Sequence, residues 1–492
     1  SSDSAYARYF RPVRLVMRRK GKFLCNLDQS LLVLFFIGIV YSLFPSINNT
    51  NDAYMYAADI REGIDLFYPH HLLYNVLGYV CSQLFHIHDT LSFLCLLNAL
   101  GAIGCLCVFR KILLFKLESE KVVPLLLLVG SCWGFMRYAT DVETYIIPLF
   151  FSLAASCCWL YKRSFFLTSL LAAIACLFHQ IHFFWWLGLG LFTIYQSSPI
   201  RIKALVVYIG AACIVPLSYV LVYLFYPQVE GDNIIHYVFH DYFYVESVGF
   251  SFKHAVILTP VNLIRTLIQV HGYIPSLLQN YFYGGIGIIL LGTCLVLFIK
   301  SILHKRICYK NEGIDKELDY FAKFHGYIFI LQLCFAFLSN GNAEFMVMLP
   351  FAFTIYFSFR YYINSDTVKW IALAMFSWNI CIGILPLHYL EIYPYKKIET
   401  FINKQSPDTN FVISNYPQLY NMLRYDYPHR KYNLYEKEDE VSGWFYTDLI
   451  NNEFPLSRFS ILNESISTDR KTEIKEILTY DLGEWTITKV YK

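Results

Sequence analysis

The chain has 492 residues, 56% of them hydrophobic and only 16% charged, and its mean hydropathy is +0.42. Soluble proteins of this length carry about a quarter charged residues, so a soluble globular class is excluded. The net charge of +3 is small, and the basic residues fall in short clusters between apolar runs, which argues against a nucleic-acid partner.

Apolar runs of about 17 to 23 residues recur, the length that crosses a bilayer as a helix. The expected class is therefore mostly α, a polytopic helical membrane protein of about eleven spans with a small C-terminal α/β domain. Aromatic residues make up 18%, with 40 Tyr and 42 Phe, as interfacial belts require. Nearly all of the 14 cysteines lie inside apolar runs and none follows Cys381, so a disulfide framework in the tail is not expected. No small-residue cleavage site follows the first apolar run, so no cleavable signal peptide is expected. The first residue is not Met, and the natural start is expected upstream.

Residues 8–22, RYFRPVRLVMRRKGK, are strongly basic and place the N-terminus in the cytoplasm. The first span, 31–46, then exits. The segment 71–86 decides every later loop. If it crossed, the basic loops around Arg110, Lys162, Lys203 and Lys300 would all lie outside. It is short and carries His, Asn and Gln, so it is read as an interfacial helix. The remaining spans are then 90–109, 122–137, 144–161, 164–178, 183–196, 204–226, 280–300, 320–338, 344–360 and 367–387. Outer segments are 47–89, 138–143, 179–182, 227–279, 339–343 and everything after 387. The expected division is a membrane module, 1–387, with long outer loops 47–89 and 227–279, and an extracytoplasmic α/β domain, 388–492. Within 227–279, amphipathic helices are expected near 233–240 and 260–270. In the tail, 410–415 and 430–436 read as strands, 417–427 and 439–451 as helices, and 478–492 as a hairpin.

This topology collects the charged candidates at one face. Asp52, in TNDAYMYAADIREG, stands where the first span leaves the lipid. A partly desolvated carboxylate there can take a proton from an acceptor hydroxyl or bind a cation, or it is a solvated loop acid. Asp59, seven residues on, reads as structural. In RYATDVETY, Arg137 could pair a phosphate or Asp141, and Asp141 or Glu143 could act in the chemistry or cap the next helix. His70 and His71, and His179 and His182, come in pairs suited to a metal, a phosphate or interfacial packing. In HYVFHD, His236, His240 and Asp241 lack the Glu of a zinc-protease pattern. Glu344 opens a span after a tight polar turn, and Arg265, Lys253 and His271 are further candidate phosphate partners. Two N-x-S/T sequons, at Asn48 and Asn463, lie in outer segments.

The order of these parts resembles the glycosyltransferase-C superfamily. It is most similar to the polyprenyl-phosphate-sugar branch that includes protein O-mannosyltransferases and lipid A aminoarabinose transferases. The resemblance is carried by a basic N-terminus and first span, then DAYMY with Asp52 and Tyr56 and the His- and Pro-bearing FYPHHLLY. The interfacial segment 71–86 follows, then DVE at 141–143 and a tail opening PDTNFVISNYPQLYNML. The chain departs from it at PHH, where relatives often show His-Pro, and in having no Arg before the Leu-Pro at 349–350. The resemblance implies transfer of a sugar from a polyprenyl-phosphate donor to a protein, lipid or glycan acceptor at the outer face. Asp52 would be the base or acceptor-orienting acid, with Asp141 or Glu143 as second acid. Arg137, His70, His71, His179, His182, Arg265 and Glu344 would face the donor. No cofactor is fixed by the resemblance, and metal dependence stays open, since a divalent cation would suit a departing phosphate. A bacterial inner membrane is the expected location, with an ER membrane as the alternative. Two other classes use similar features: a polysaccharide polymerase or ligase with lipid-linked sugars, and a transporter.

Overall fold

The computed structural model describes residues 28–196, 201–229, 231–240, 243, 249–304, 308–310, 313–449 and 472–491. The chain begins with α1 (Gln29–Leu43), α2 (Asn51–Glu62), α3 (Tyr74–Leu84) and α4 (Thr90–Leu113). Next come α5 (Ser119–Gly130), α6 (Trp133–Ala139), α7 (Ile146–Leu160), α8 (Phe165–Phe178) and α9 (Phe183–Gln196). Then follow α10 (Arg201–Ala212), α11 (Ile214–Phe225), α12 (Ile234–Val238), α13 (Phe252–Leu267), α14 (Ile274–Asn280) and α15 (Phe282–His304). The bundle closes with α16 (Lys316–Leu338), α17 (Leu349–Arg360), α18 (Ser365–Trp378) and α19 (Leu385–Tyr389), the last two joined by a π-helical turn.

Every expected span is helical, but not every one has spanning length. Among the described residues, five helices are long and apolar enough to cross a membrane, or six when α5 and α6, bent by 73°, count as one. The other five expected spans, α1, α7, α8, α9 and α17, have 12 to 15 residues. At 1.5 Å per residue they reach roughly 18–23 Å, short of a ~30 Å hydrocarbon core. Helix α3, within the expected interfacial segment 71–86, has 11 residues and is also too short to cross. Helix α13 starts well before the expected 260–270, and α12 is a five-residue remnant of the expected 233–240.

Two ends of the bundle differ in charge. Arg110, Lys116, Lys162, Lys323 and Arg360 lie at or beyond one set of helix ends, where Arg110 pairs with Asp28, Lys162 with Glu317, and Arg360 with Asp319. The expected outer segments meet each other at the opposite end. Ser251 and Gly249 bond Asn340, Gln180 bonds Pro69 and Val238, and His388 bonds Pro45. Asn48 donates to the carbonyls of Leu387 and Leu390, so its sequon amide is occupied structurally. Asn463 and Asp241 lie outside the described residues.

After α19, the chain forms α20 (Tyr395–Lys404) and α21 (Tyr416–Asp426) against a five-stranded sheet. A small two-stranded ribbon, β1 (Cys308–Lys310) with β2 (Tyr361–Ile363), lies elsewhere in the chain. The main sheet comprises β3 (Asn410–Val412), β4 (Asn433–Tyr435), β5 (Trp444–Thr447), β6 (Thr472–Tyr480) and β7 (Gly483–Tyr491), in the order β4-β3-β5-β7-β6. Strands β3, β4 and β5 are parallel, and β6 and β7 form the antiparallel hairpin expected at the C-terminus. The helix expected over 439–451 is instead a 3-10 turn followed by β5, because the alternating burial of Trp444–Thr447 is a strand's period, not a helix's.

Helix α21 seats this unit on α2. Arg424 pairs with buried Asp59 at 2.8 Å and with Glu62 at 2.7 Å. Arg61 donates to the carbonyls of Arg424 and Tyr425 at the C-terminal end of α21, where a cation complements the helix dipole. Tyr54 of α2 is buried in the same apolar cluster as Ile398, Phe411, Leu419 and Trp485. Removing Arg424 strands Asp59, whose carboxyl burial already pushes up to about 6. Arg424→Ala is expected to cost on the order of 3 kcal/mol in thermal unfolding in detergent. Adding Asp59→Asn should recover most of that loss, because the stranded charge is then gone.

Candidate active site

The site grows from three turns at the acidic end. The first precedes α2. Thr50 caps that helix by accepting from the Ala53 amide, which puts Asp52 in the first turn, where the helix dipole favours a carboxylate. Gly63 ends the helix in the left-handed region at φ 71°. The second turn, 140–145, carries Asp141 and Glu143. Asn98, wholly buried in α4, donates to the backbone carbonyls of both acids, at 2.9 and 2.7 Å. The third turn, 339–344, ends at Glu344, which accepts from Tyr145 Oη at 2.7 Å and Asn342 Nδ2 at 3.4 Å.

These turns are tied to one another. Asn49 Nδ2 donates to Asp141 Oδ1 at 2.6 Å, and Thr50 Oγ1 donates to Glu143 Oε1 at 3.1 Å. Arg137 pairs with Asp141 at 2.7 Å and also donates to Ser46 Oγ and the Asn48 carbonyl. Of the alternatives open for Arg137, the carboxylate is therefore its partner in this structure.

Asp52, Glu143 and Glu344 form a set of mutually repelling acids. Burial pushes Asp52 above the usual carboxylate range, against the opposing pull of His70 and a hydrogen bond from Asn51. Burial raises Glu143 strongly, and the charges of Glu344, Asp52 and Asp141 raise it further. Glu344 is raised by burial and by Asp52, against its bonds from Tyr145 and Asn342. Burial of this kind favours the protonated form of each acid, and an acid whose ionisation is shifted upward suits general acid–base work.

The imidazoles line one side of the acids. The rings of His70 and His71 lie 4.3 Å apart, and His70 and His179 6.0 Å apart. His179 stacks on Tyr145 at 5.0 Å. Burial, with neighbouring imidazoles, holds His71 and His179 well below the ordinary histidine value, so both are neutral. His71 Nε2 meets Tyr56 Oη at 3.1 Å. His182 faces the other way, with Nδ1 on Ser152 Oγ at 2.7 Å and its ring near Trp185. Among the described residues, no group of three or more His, Cys, Asp or Glu is arranged to hold a metal ion. His236 lies apart, near Asp232 and Phe243.

A cationic corner adjoins the acids through Arg137. His271 Nε2 and Tyr393 Oη lie 3.0 Å apart, and His271 is brought down to about 4 by burial and by the charges of Arg265 and Arg137. Arg265, at the C-terminal end of α13, is exposed and bonds Asn262 Oδ1 at 3.2 Å. No carboxylate pairs with it among the described residues. Along α13, Phe252, Val256, Ile257, Val261 and Ile264 are all exposed, an apolar face suited to lipid. The sequence reading did not single out Asn49, Asn51, Asn98, Tyr145 or Tyr393. Asn98 alone carried a usable signal, as an amide inside an apolar span.

No family model and no curated protein matches the sequence. Among solved structures, the chain is similar to ArnT from Cupriavidus metallidurans bound to undecaprenyl phosphate, at 12% identity and a TM-score of 0.44, over 93% of this chain and 97% of that one. It is also similar to the Archaeoglobus fulgidus oligosaccharyltransferase in the apo form, at 13% identity and a TM-score of 0.39, over 84% of this chain and 65% of that one. Likeness at this level carries no argument about the site, which stands on its own geometry.

Because Glu143 and Glu344 ionise less readily folded than unfolded, the protein loses stability as pH rises from the ordinary glutamate range towards their raised values. Glu344→Gln removes one of the repelling charges and lowers Glu143. Its melting temperature should therefore fall less than the wild type's between acidic and neutral pH, as measured by thermal melts across that range.

Proposed function

We propose that the protein is an integral-membrane glycosyltransferase that moves a sugar from a polyprenyl-phosphate donor to an acceptor at the extracytoplasmic face. The observation that supports this reading is the juxtaposition at one end of the bundle of the buried acids Asp52, Glu143 and Glu344 with the exposed guanidinium of Arg265, beside a lipid-suited helix. A lipid-borne phosphate needs the second feature and a hydroxyl acceptor needs the first. The basic opposite end supports a cytoplasmic location for it, and on that reading the acids and the 388–492 unit lie outside.

In the proposed reaction, the acceptor hydroxyl gives its proton to the Asp52 carboxylate as its oxygen bonds the anomeric carbon. The bond from that carbon to the phosphate oxygen breaks, and its electron pair leaves with the polyprenyl phosphate. Arg265, with no carboxylate partner among the described residues, stabilises the charge developing on that phosphate, while Arg137, paired with Asp141, holds the turn that carries Glu143 in place. Glu143 and Glu344 orient the sugar or acceptor hydroxyls. His70 faces Asp52 and favours its ionised form. Neutral His71 and His179 serve as hydrogen-bonding walls rather than as cations.

The test is transfer from a radiolabelled polyprenyl-phosphate sugar in detergent. Asp52→Asn should lower turnover at least 100-fold, the lower range for general-base removal, with a melting temperature no lower than the wild type's, since it removes one of the repelling acids. Arg265→Ala should lower kcat more than it raises the donor KM, because the lost interaction strengthens as the phosphate departs. Near-normal turnover of the Asp52→Asn protein would refute the role of this acid. Substrate movement into sealed vesicles without transfer would favour the transporter reading instead.

A further inference from the structure

Helix α21 does more than seat the C-terminal unit on α2, because two of its amides reach the turn that carries the acids. Asn421, almost fully buried, donates through Nδ2 to Asn51 Oδ1 at 2.8 Å. Asn51 in turn donates through Nδ2 to Asp52 Oδ1 at 3.1 Å. One turn earlier, Gln418 Nε2 donates to the Asn49 carbonyl at 3.2 Å. The Asn49 side chain is the one that donates to Asp141.

The first chain of bonds has a direction. An amide presents an acceptor at one end and donors at the other. Asn421 offers its donor, which captures the carbonyl end of Asn51 and turns the NH2 end of Asn51 towards Asp52. An NH2 group stabilises the carboxylate form, whereas the carbonyl end would stabilise only the protonated acid.

We propose that Asn421 is a positioning residue for Asp52, acting through Asn51 so that the C-terminal helix sets the protonation of the acid at the membrane end of the bundle. The consequence rests on the reading of Asp52 as the working acid, but the hydrogen-bond relay does not. The groups that face Asp52 are His70 from the segment before α3, Glu143 from the second turn, Glu344 from the third and Tyr56 from its own helix. None of these lies on α21, so a substitution at Asn421 changes the relay and leaves the residues facing Asp52 in place.

Asn421→Asp is the sharpest test. An ionised Asp accepts and cannot donate, so Asn51 would turn its NH2 group to residue 421 and its carbonyl to Asp52. Asn421→Leu removes the donor without adding charge. The readout is the titration of Asp52 in the purified full chain in nanodiscs, followed by isotope-edited infrared spectroscopy as the carboxyl band missing from Asp52→Asn. The midpoint should rise by about one pH unit in Asn421→Asp and by less in Asn421→Leu. Tyr420→Ala, on the exposed face of the same helix, should leave it unchanged. Unaltered midpoints in both Asn421 variants, whatever the melting temperatures do, would overturn the relay and leave Asn421 as a packing contact. If the Leu variant fails to fold, Asn421→Ala, which also removes the donor without adding charge, takes its place beside Asn421→Asp, whose added charge would raise the midpoint by itself. Because this titration needs no turnover, it separates the two readings. An active Asp52→Asn enzyme defeats the catalytic role, while static midpoints defeat only the relay.

Discussion

The ion pair of Arg137 and Asp141 is the contact on which the acidic end of the molecule depends. Asp141 is fully buried, and an isolated charge there would be untenable. Its two oxygens are met by the guanidinium, by Asn49 and by the backbone amide of Val142. Arg137 spends its other donors on Ser46 and Asn48. One pair thereby joins the end of α6 to the chain between α1 and α2, and that chain delivers Thr50, Asn51 and Asp52. A buried charge is weak evidence of stability, but it is strong evidence of placement, because few arrangements satisfy it.

Around that pair, electrostatics divides the site into unlike halves. On one side buried carboxyl groups crowd together, each shifted towards its protonated form. On the other, Arg265 remains exposed beside an apolar helix face. Neutral imidazoles separate neither charge from the other, but they supply ring surface and hydrogen-bonding nitrogen where a charged side chain would cost far more. This is how an apolar bundle can offer a polar reaction space without filling it with unpaired charge.

Much of the acidic end was legible in the sequence. The positive-inside argument put Asp52, Arg137, Asp141, Glu143, His179 and Glu344 on one side, and the structure gathers them at one end. His182 was legible only as a partner of His179. A 3-10 turn between α8 and α9 sends it to Ser152 instead, and no spacing rule anticipates that divergence. The amides Asn49, Asn51 and Asn421 were illegible because each is held by a residue far away in the chain. In the tail, the expected helix over 439–451 failed because aromatic and β-branched residues at 444–447 found a parallel partner in β3, a long-range pairing that outweighs local pattern.

By itself the sequence determined the class of the protein: long apolar runs must become helices, since lipid leaves backbone groups no other partner, and basic loops must share one side. It also determined that acids and histidines would accumulate at the opposite end. Only the tertiary structure decided which acid pairs with Arg137, which carboxylates repel one another, which imidazoles stay neutral, and that a helix near residue 420 steers an acid at residue 52. Those outcomes depend on burial and on contacts between distant turns. Burial sets the energy of a charge, and a linear pattern records neither how deep a side chain will lie nor what it will face there.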